Sequence, residues 1–396
     1  MRNFNIPTKY PKLDPENTPS PGPAERIRVV VNGIHAKSGG GLTYIRELVP
    51  RLARLDNLEV HLFLHRDQFP LFYPIDENIR PHLFDYKQGS LSTLAWEQLA
   101  VPVLVREMGA DIVFSPANFG PLMAKNHVIL LRNAVSVIKV ESRLFGKFYW
   151  LSLGLATLAS LLSAKKAIAV SNYAKKDLTF GLLNYLQDKI DVVYHGTSFS
   201  RSEDSGSAEI TPFVLAVSDI YVQKNFHTLI PAFARVIEHR PDIDLVIAGQ
   251  VIDNIYMQQL ETIIEDEGLV DRVRFLGRVE TDELHRLYRD CRVFVFPSLI
   301  ETFGNPLLEA MAEGAAIACS NSAAMPEIVN DAGLMFDPTK PEDIAEKIIA
   351  LLEDDGLRKS LSGRAIERAR SFTWERTADE TRTVFQSVME TSGDRQ

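Results

Sequence analysis

Short runs of consecutive apolar residues alternate along the chain with longer segments in which apolar residues recur with the period of a helix. In the first half, the predicted strands are 27–33, 59–64, 111–115, 128–132, 167–171 and 191–196. In the second half, they are 213–218, 244–249, 272–277, 292–297 and 315–320. Strands that are apolar throughout are typical of parallel sheets with helices on both faces. The pattern therefore predicts an α/β protein with two doubly wound, Rossmann-like sheets.

Segments of helical period separate these strands and follow the last of them. The predicted helices are 42–55, 92–107, 144–163, 172–183, 226–239, 253–267, 281–290, 305–313, 341–353, 356–370 and 375–390. Doubly wound sheets bind their ligands beyond the carboxyl ends of the strands. We therefore expect the functional site in a central cleft that the two domains face.

A boundary between the two domains is visible in the composition. Residues 198–211 combine Ser, Gly and acidic residues without an apolar period, which predicts a linker. It separates a first Rossmann-like domain, residues 25–197, from a second, residues 212–372. Residues 1–24 contain many prolines and no apolar core, which indicates a disordered leader rather than a signal peptide. The last helix, 373–396, is expected to return to the first domain.

The two halves of the chain carry opposite net charge, although the whole chain has a net charge of −9. Residues 24–195 contain 20 basic and 15 acidic residues, whereas residues 196–396 contain 20 basic and 35 acidic residues. A basic first half suits an anionic partner, such as a membrane leaflet or a lipid-linked phosphate. Unevenly distributed solubilising charge is the alternative explanation.

Cysteine content and the helix 144–163 bear on where the protein works. The two cysteines, Cys291 and Cys319, lie in apolar runs and are expected to be buried thiols in a reducing compartment, with a disulfide as the alternative. The helix is almost wholly apolar but too interrupted to span a bilayer. It is expected to be a buried crossover helix or, given Tyr149 and Trp150, one that rests on a membrane. We expect a cytoplasmic protein, with peripheral contact with the inner face of an anionic membrane as a further expectation.

Residues 298–314, SLIETFGNPLLEAMAEG, place two carboxylates on either side of a glycine turn that begins a helix. Asn305 is the predicted N-cap, and Gly304 precedes it. Such a turn directs free backbone N–H groups and the positive end of a helix at one point, which suits a phosphate. Glu301 and Glu309 would flank that phosphate and could accept hydrogen bonds from hydroxyl groups. The segment therefore indicates a nucleotide-sugar site, although a dipole-complementing Glu in an ordinary helix gives the same pattern.

Two further loops follow the first strand of each domain. Gly39, Gly40 and Gly41 precede a helix and allow a ligand to approach the backbone closely, with a flexible turn as the alternative. Lys224 and Asn225 occupy the equivalent loop of the second domain. A lysine there can place its charge on a bound phosphate, whereas a solvated lysine beside an N-cap is the alternative. Residues 320–327 form another polar turn that could touch a base or a sugar, or simply connect two elements.

Several motifs are absent from the sequence. It contains no Walker loop, no zinc-type Cys/His spacing and no G-x-S-x-G sequence. We therefore predict neither a metal nor a cofactor, and no nucleic-acid partner.

These segments together resemble the retaining glycosyltransferases of family 4. The resemblance covers residues 27 to about 385 and is carried by GGGL, VSNYAKKDL, QKN, LVIAGQ, PSLIETFGNPLLEAMAEG and DAGLMFDPTKPEDIAEKI. It implies the GT-B fold, in which the second domain binds the nucleotide sugar and the first domain binds the acceptor. It further implies that Glu309 holds the ribose hydroxyls and that Glu301 lies near the donor sugar. Backbone groups of Phe303 and Gly304 would contact the sugar or the diphosphate, and Lys224 would contact the phosphates.

The sequence departs from the family pattern at two places. Many members have an Arg before the phosphate-binding Lys, where this chain has Asp219 and Gln223. Many also have a His after the first-domain strand that here reads LLRNAV, and this chain has Asn133 there. An amide can bond to a sugar hydroxyl but does not titrate, which argues against a base at that position.

The resulting hypothesis is transfer of a sugar from a nucleotide-diphosphate sugar, GDP-mannose or a UDP-sugar, to a hydroxyl of a saccharide or lipid-linked acceptor. The anomeric configuration would be retained, and the product would belong to cell-envelope polysaccharide or glycolipid synthesis. The predicted catalytic residues are Glu301, Lys224 and Asn133. The predicted donor-binding residues are Gly39, Gly40, Gly41, Asn225, Phe303, Gly304, Asn305 and Glu309. A nucleotide-sugar hydrolase or epimerase of the same fold and a catalytically silent binding protein are the alternatives.

Overall fold

The computed structural model describes residues 26–37, 39–139, 141, 143–179, 183–198 and 212–393. The predicted leader and the predicted linker, except for Ser198, lie outside the described residues. Both cysteines are buried free thiols, in agreement with the expectation from the apolar runs around them.

In the described part of the first domain, seven parallel strands form one sheet in the order β3-β2-β1-β4-β5-β6-β7. These strands are β1 (Ile27–Asn32), β2 (Leu58–His65), β3 (Ile79–Phe84), β4 (Ile112–Ser115), β5 (His127–Leu131), β6 (Lys166–Ala169) and β7 (Ile190–Val192). The helices are α1 (Gly39–Ala53), α2 (Phe69–Phe72), α3 (Ser90–Glu107), α4 (Leu144–Ser163), α5 (Asn172–Asp177) and α6 (Leu183–Leu186). Single 3-10 turns occupy Arg66–Gln68, Val135–Lys139 and Gln187–Lys189.

Within residues 212–393, six parallel strands form the second sheet in the order β10-β9-β8-β11-β12-β13. These strands are β8 (Phe213–Val217), β9 (Asp244–Ala248), β10 (Val273–Gly277), β11 (Val293–Phe296), β12 (Ile317–Ser320) and β13 (Gly333–Phe336). The helices are α7 (Phe226–His239), α8 (Asn254–Asp266), α9 (Thr281–Asp290), α10 (Asn305–Glu313), α11 (Met325–Val329), α12 (Pro341–Glu353), α13 (Asp355–Ala369) and α14 (Trp374–Gly393), and a 3-10 turn covers Val222–Lys224. The prediction of two doubly wound parallel sheets is confirmed.

Two strands, the short helices α2, α6 and α11, and several helix ends differ from the pattern-based prediction. β3 and β13 were not predicted, because both are edge strands: β3 contains Pro81 and is only partly buried, and β13 has four residues. Edge strands need neither a continuous apolar run nor a full set of ladder donors. The helix predicted over 172–183 is wrong in length, since α5 ends at Asp177.

The order of strands places four loops at the switch points of the two sheets. In the first sheet, the direction in which successive strands are added reverses between β1 and β4, and in the second sheet it reverses between β8 and β11. The crevices beyond the carboxyl ends of these strands are where open α/β sheets bind ligands. The loops after β1, β4, β8 and β11 therefore lie at the switch points, next to the loop after β5 in the first sheet.

The final helix, α14, packs against the first domain, not the second. The Arg51 Nε atom donates to Glu375 Oε1 at 2.7 Å, and the rings of Phe385 and Phe114 lie 5.5 Å apart. Thr377 Oγ1 donates to the backbone carbonyl of Tyr194 at 2.8 Å. The chain thus crosses between the domains a second time just before α14.

The end of the first domain contacts the segment that precedes α14. The backbone N–H of Thr197, at the end of the first domain, donates to the carbonyl of Phe372 at 3.1 Å. Gly196 lies so close to the second crossing that a Cβ there would be 2.1 Å from the Trp374 backbone nitrogen. Only glycine allows this approach of the two backbones.

Candidate functional site

A cavity of about 560 Å³ lies between the two domains at the carboxyl ends of their strands. Residues 132–134 after β5 and Tyr149 and Trp150 of α4 line it from the first domain. Residues 221–223 after β8 and 300–302 after β11 line it from the second. This volume is within the range of small-molecule sites, and its walls mix aromatic and charged side chains.

Lys224 and Glu301 form an ion pair on the second-domain side of this cavity, with side chains only 11% and 14% exposed. Burial alone would lower the pKa of Lys224. The Glu301 carboxylate and the Tyr221 side chain outweigh that effect and raise the pKa above its ordinary value. The amine is therefore protonated at neutral pH, and a ligand phosphate would compete with Glu301 for it.

The turn before α10 brings backbone groups to the domain boundary. Gly304 adopts a left-handed conformation with φ of 91° and is the N-cap, so the prediction of Asn305 as N-cap is wrong by one residue. The cause is this positive φ, which suits glycine and lets Asn305 and Pro306 occupy the first two helical positions. Gly304 has no side chain with which to cap the helix. Pro306 has no N–H, and the Leu307 and Leu308 N–H groups donate to the Gly304 carbonyl, so the Asn305 N–H is the one at this helix start that remains for a ligand.

Side chains around this turn connect the two domains. Phe303 is 2% exposed as a whole residue, and its ring lies 4.8 Å from that of His195, so its predicted backbone contact with a ligand stays a prediction. Asn305 Oδ1 lies 3.0 Å from His195 Nδ1. Ser171 Oγ donates to the Thr302 carbonyl at 2.5 Å, and Thr302 Oγ1 donates to the Arg132 carbonyl.

Glu309 follows Asn305 by four residues and therefore lies on the same face of α10. Its half-buried carboxylate accepts a hydrogen bond from the Tyr288 hydroxyl at 3.0 Å. Burial raises the pKa of Glu309 to about 7, against the opposing effects of Tyr288 and His285. Glu301 lines the cavity and Glu309 does not, so the predicted placement of both carboxylates around one phosphate stays a prediction.

The three glycines form the first residues of α1, opposite the start of α10. A Cβ on Gly40 would lie 3.5 Å from Asn305 Nδ2. A Cβ on Gly41 would lie 2.5 Å from the guanidinium nitrogens of Arg132, which packs directly on the glycine. Gly39 has φ of 59° and no neighbour within 4 Å of such a Cβ. The amino ends of α1 and α10 thus converge at one place.

Asn133 and Asn225 differ in accessibility. Asn133 is exposed and lines the cavity, and its backbone is held by hydrogen bonds with the Asn118 side chain at 2.8 and 2.9 Å. Asn225 is 1% exposed, and its amide donates to the carbonyls of Pro297 and Pro338. The Asn225 side chain therefore supports the loops, and its predicted donor contact stays a prediction.

The predicted residues thus fall into two groups within the cleft. Asn133 and Glu301 line the cavity, with Lys224 bonded to Glu301. The glycines 39–41, the turn 303–305 and Glu309 lie around the paired helix ends. The chemical roles assigned to these residues stay predictions. Within the described residues, no group of three or more His, Cys, Asp or Glu side chains is arranged to hold a metal ion.

Three residues at the domain boundary were not predicted. Glu327, considered only as part of a turn, accepts hydrogen bonds from Asn172 and from the Tyr194 hydroxyl of the first domain. His195 contacts Asn305 and is buried, and burial lowers its pKa to about 4. Arg132 points into the cleft. For Arg132 the sequence offered a signal, because a basic residue directly follows an apolar strand. The contacts of Glu327 and His195 depend on how the two domains are arranged, and no sequence pattern indicates them.

Comparison with known proteins agrees with this architecture. Residues 199–368 match the family model described as glycosyl transferases group 1. O-antigen chain mannosyltransferase B of Escherichia coli is 32% identical over 243 residues, which are 57% of this chain and 61% of that protein. The chain thus matches about three fifths of that relative's length. A Campylobacter jejuni N-acetylgalactosamine-N,N'-diacetylbacillosaminyl-diphospho-undecaprenol 4-alpha-N-acetylgalactosaminyltransferase is 26% identical over 352 residues, 85% of this chain and 93% of that protein.

Solved structures show the same fold over nearly the whole chain. HepE of Anabaena, solved with UDP and glucose, superposes with a TM-score of 0.70 at 18% identity, covering 91% of this chain and 100% of that structure. The GT-B architecture expected from the sequence is therefore confirmed. The second domain is thus similar in sequence to the glycosyl transferases group 1 family.

Proposed function

We propose that the protein transfers a sugar from a nucleotide-diphosphate sugar to an acceptor hydroxyl and retains the anomeric configuration. The convergence of two helix amino ends beside a buried Lys224–Glu301 pair carries this proposal, because it suits a departing diphosphate. The E. coli relative is named as a mannosyltransferase, which favours GDP-mannose as the donor. HepE was solved with UDP, which keeps UDP-sugars as the second choice. The product would enter cell-envelope polysaccharide or glycolipid synthesis.

In the proposed reaction, the bond between the anomeric carbon and the diphosphate breaks, and a bond from that carbon to the acceptor oxygen forms. The acceptor proton passes to the leaving phosphate oxygen, so no side chain has to act as a nucleophile. The Asn305 N–H and the positive end of α10, together with the Lys224 ammonium, stabilise the negative charge that develops on the diphosphate. Glu301 holds Lys224 in place, and Asn133 is positioned in the cavity to bond to a sugar hydroxyl. Glu309 holds the ribose.

The first test is a thermal-shift panel of nucleotide sugars, followed by assays with and without acceptor. A donor at many times its dissociation constant stabilises the protein by a few kcal/mol. Release of nucleoside diphosphate only with acceptor supports the proposal. Release without acceptor would identify a hydrolase instead, and the absence of binding to any donor would identify a silent binding protein.

A lysine variant tests the catalytic assignment directly. Lys224→Ala removes a cation from the leaving diphosphate, and we expect kcat to fall by about 100-fold or more. Lys359→Ala, an exposed lysine of α13, is the control and should leave kcat unchanged. Wild-type kcat in the Lys224 variant would contradict the assignment.

We further propose that the first domain rests on the cytoplasmic leaflet of an anionic membrane through one apolar face. This face, termed the α3–α4 face, is formed by α3, residues 116–126 and α4. Gln98 Nε2 of α3 donates to the Gly120 carbonyl, and the Gly120 N–H donates to Ser160 Oγ of α4. The three elements are therefore adjacent. No helix in the described residues is both long and apolar enough to traverse a bilayer, so the proposed contact is peripheral.

Large apolar side chains project into solvent from the α3–α4 face, including several that are more than half exposed. They are Leu91, Leu99, Val103, Met123, Leu144, Phe148, Tyr149, Leu151, Leu155 and Leu162. An apolar patch of this extent is typical of a contact surface. Helix α4 contains Lys147 and no acidic residue, and residues 116–126 add Lys125. In α3, Glu97 is buried and the exposed Arg106 and Glu107 cancel, so the face carries a net positive charge. This charge pattern favours anionic lipid as the partner.

Vesicle co-sedimentation tests this contact. We expect the protein to pellet with vesicles of phosphatidylcholine and phosphatidylglycerol, and less with phosphatidylcholine alone. Replacing Phe148 and Leu155 together by Ser should abolish pelleting, whereas the same change at Ile255 and Val270, exposed apolar residues of the second domain, should not. Sedimentation velocity gives the alternative outcome. If wild type is a stable dimer and the Phe148/Leu155 change makes it a monomer, the partner of the α3–α4 face is a second copy of the chain and not a membrane.

A further inference from the structure

Arg132 carries a positive charge in the cleft for which the described residues provide no anionic partner. It follows β5, and its guanidinium nitrogens lie against Gly41 at the start of α1. Its Nε atom is buried without a hydrogen-bond partner. Burial lowers the pKa of Arg132, and the one opposing influence is the side chain of Tyr44, a phenol whose own pKa burial raises, and not a carboxylate. An arginine nevertheless stays protonated, so an anion is required to complete its surroundings.

The groups around this guanidinium are positive or neutral. The amino ends of α1 and α10 both face it and contribute partial positive charge. His195 is uncharged at neutral pH because burial lowers its pKa to about 4. The acidic residues that line the cavity are already paired: Glu301 with Lys224, and Asp253 and Glu141 with Arg143. An anion entering here would therefore meet several complementary groups at once.

The backbone of Arg132 is positioned independently of its side chain. Its N–H donates to Asn118 Oδ1 at 2.9 Å, and its carbonyl accepts from Thr302 Oγ1. The guanidinium is thus not needed to hold the loop after β5. A structural role for the charge would also need an acidic partner, and Arg132 has none within the described residues.

In residues 218–225, the described loop after β8, Lys224 is the one basic residue. Gln223 is buried and donates through Nε2 to the Ile300 carbonyl at 3.3 Å. Asp219 accepts from the Gln250 backbone at 3.1 Å and is negative. Lys224 would therefore face a diphosphate alone from that side.

We propose that Arg132 of the first domain binds the diphosphate of the nucleotide-sugar donor and supplies the cation that Asp219 and Gln223 do not. The inference rests on the proposed function. An arginine can donate two parallel hydrogen bonds to phosphate oxygens. Because Lys224 belongs to the second domain and Arg132 to the first, the diphosphate would bridge the domains. A nucleoside monophosphate, which reaches only one phosphate position, would gain less from Arg132.

Calorimetry with GDP, GMP, UDP and UMP tests the proposal. Arg132→Gln should weaken binding of the preferred diphosphate about 10- to 100-fold and that of its monophosphate by less than about twofold. Arg132→Lys should restore part of the loss. Arg235→Gln, at an exposed arginine on α7, is the control. Equal diphosphate affinity in wild type and Arg132→Gln overturns the inference while the proposed function stands. Failure of the wild type to bind either diphosphate overturns both.

Thermal unfolding of the unliganded variants separates binding from structure. If Arg132 serves a ligand, its Gln variant should melt at the same temperature as wild type or higher, because an uncompensated buried charge is removed. A lower melting temperature with equal loss of mono- and diphosphate binding would show a structural role and overturn the inference. Gly41→Ala is a second variant, in which the new Cβ displaces the guanidinium, and it should reproduce the selective loss of diphosphate affinity.

Discussion

At Glu309, burial and hydrogen bonding act on one carboxyl group in opposite directions. Burial raises its pKa, and the hydroxyl of Tyr288 partly compensates because it donates to the ionised form. The resulting pKa of about 7 lies in the physiological range. In the proposed function Glu309 accepts hydrogen bonds from two ribose hydroxyls and must then be ionised, so the proposal couples nucleotide binding to this titration.

We therefore expect nucleotide affinity to fall as the pH is lowered through about 7, since a proton must leave Glu309 before the hydroxyls bind. Tyr288→Phe removes the donor that stabilises the carboxylate and should move the midpoint to higher pH. Calorimetric titrations from about pH 5.5 to about pH 8.5 would measure the midpoint of wild type and that of Tyr288→Phe, because this range extends at least about one pKa unit to either side of about 7. Glu309→Gln should bind weakly without this pH dependence. An unchanged midpoint in Tyr288→Phe would contradict the coupling.

The Lys224–Glu301 pair supports a second expectation at this scale. Glu301→Gln leaves a nearly buried ammonium without its counter-charge, and we expect the free energy of unfolding of the second domain to fall by about 3 kcal/mol. Urea unfolding followed by the fluorescence of the protein would measure it. The double change to Lys224→Met and Glu301→Gln removes both charges and should cost less than the single change. A double variant that is as unstable as the sum of both single variants would show that the pair is not coupled.

At the scale of elements, α11 joins the domains through one side chain. Glu327, in its first turn, accepts from the backbone N–H of Asn172 at 2.8 Å and of Tyr173 at 3.2 Å, at the start of α5. It also accepts from the Tyr194 hydroxyl at 2.7 Å. Burial, with Glu327 as a second cause, raises the pKa of Tyr194 to about 12, so the phenol keeps the proton that it donates.

Glu327→Ala should therefore loosen the contact between the domains. Several hydrogen bonds to a charged acceptor are lost together, which we expect to cost about 2 kcal/mol of unfolding free energy. Small-angle X-ray scattering should show a larger radius of gyration for the variant without ligand. Glu342→Gln, at an exposed ion pair with Arg235, is the matched control and should change neither quantity. A variant as compact and stable as wild type would refute this role of Glu327.

On the scale of the whole molecule, the first domain depends on a helix from the other end of the chain. Trp374 begins α14, is 3% exposed, and stacks within 5.8 Å of Tyr44 and 5.7 Å of His195. Phe385, lower in the same helix, is fully buried against Phe114. The core of the first domain is thus completed only after the second domain has been synthesised.

A chain that ends at Thr373 should leave the apolar side of α1 uncovered. We expect the first domain of this chain to aggregate or to exchange its amide hydrogens rapidly, whereas the second domain keeps its protection. Trp374→Ala should lower the unfolding free energy by about 3 to 5 kcal/mol. Hydrogen exchange measured by mass spectrometry would report on both domains separately. A chain that ends at Glu390 is the control, and protection of the first domain in the shorter chain would contradict the dependence.

Most elements of the fold could be predicted from the sequence because central parallel strands must be apolar on both faces. β11 and β12 are examples, with every residue buried. The edge strands β3 and β13 were missed because they are less buried and lack that requirement. Around the site, the start of α10 was predictable because its glycine and proline are local signals.

Contacts that depend on the domain arrangement could not be predicted. Glu327 and Asn172 are 155 residues apart in sequence, and no local pattern connects them. Asn225 follows Lys224 directly, yet its side chain turns inward, because a left-handed backbone with φ of 63° directs it to Pro297 and Pro338. Neighbours in sequence can thus have opposite surroundings, which only the three-dimensional packing decides.

The hydrogen bond between Thr197 and Phe372 joins the end of the first domain to the segment that precedes α14. A rotation of the domains about this point would keep the bond, whereas a separation of the domains at this point would break it. Opening of the cleft would then be a swing in which the loops farthest from Gly196 move most. A side chain at Gly196 would push the two backbones apart and so change the angle between the domains without ligand. This position is separate from the residues that are proposed to contact a ligand.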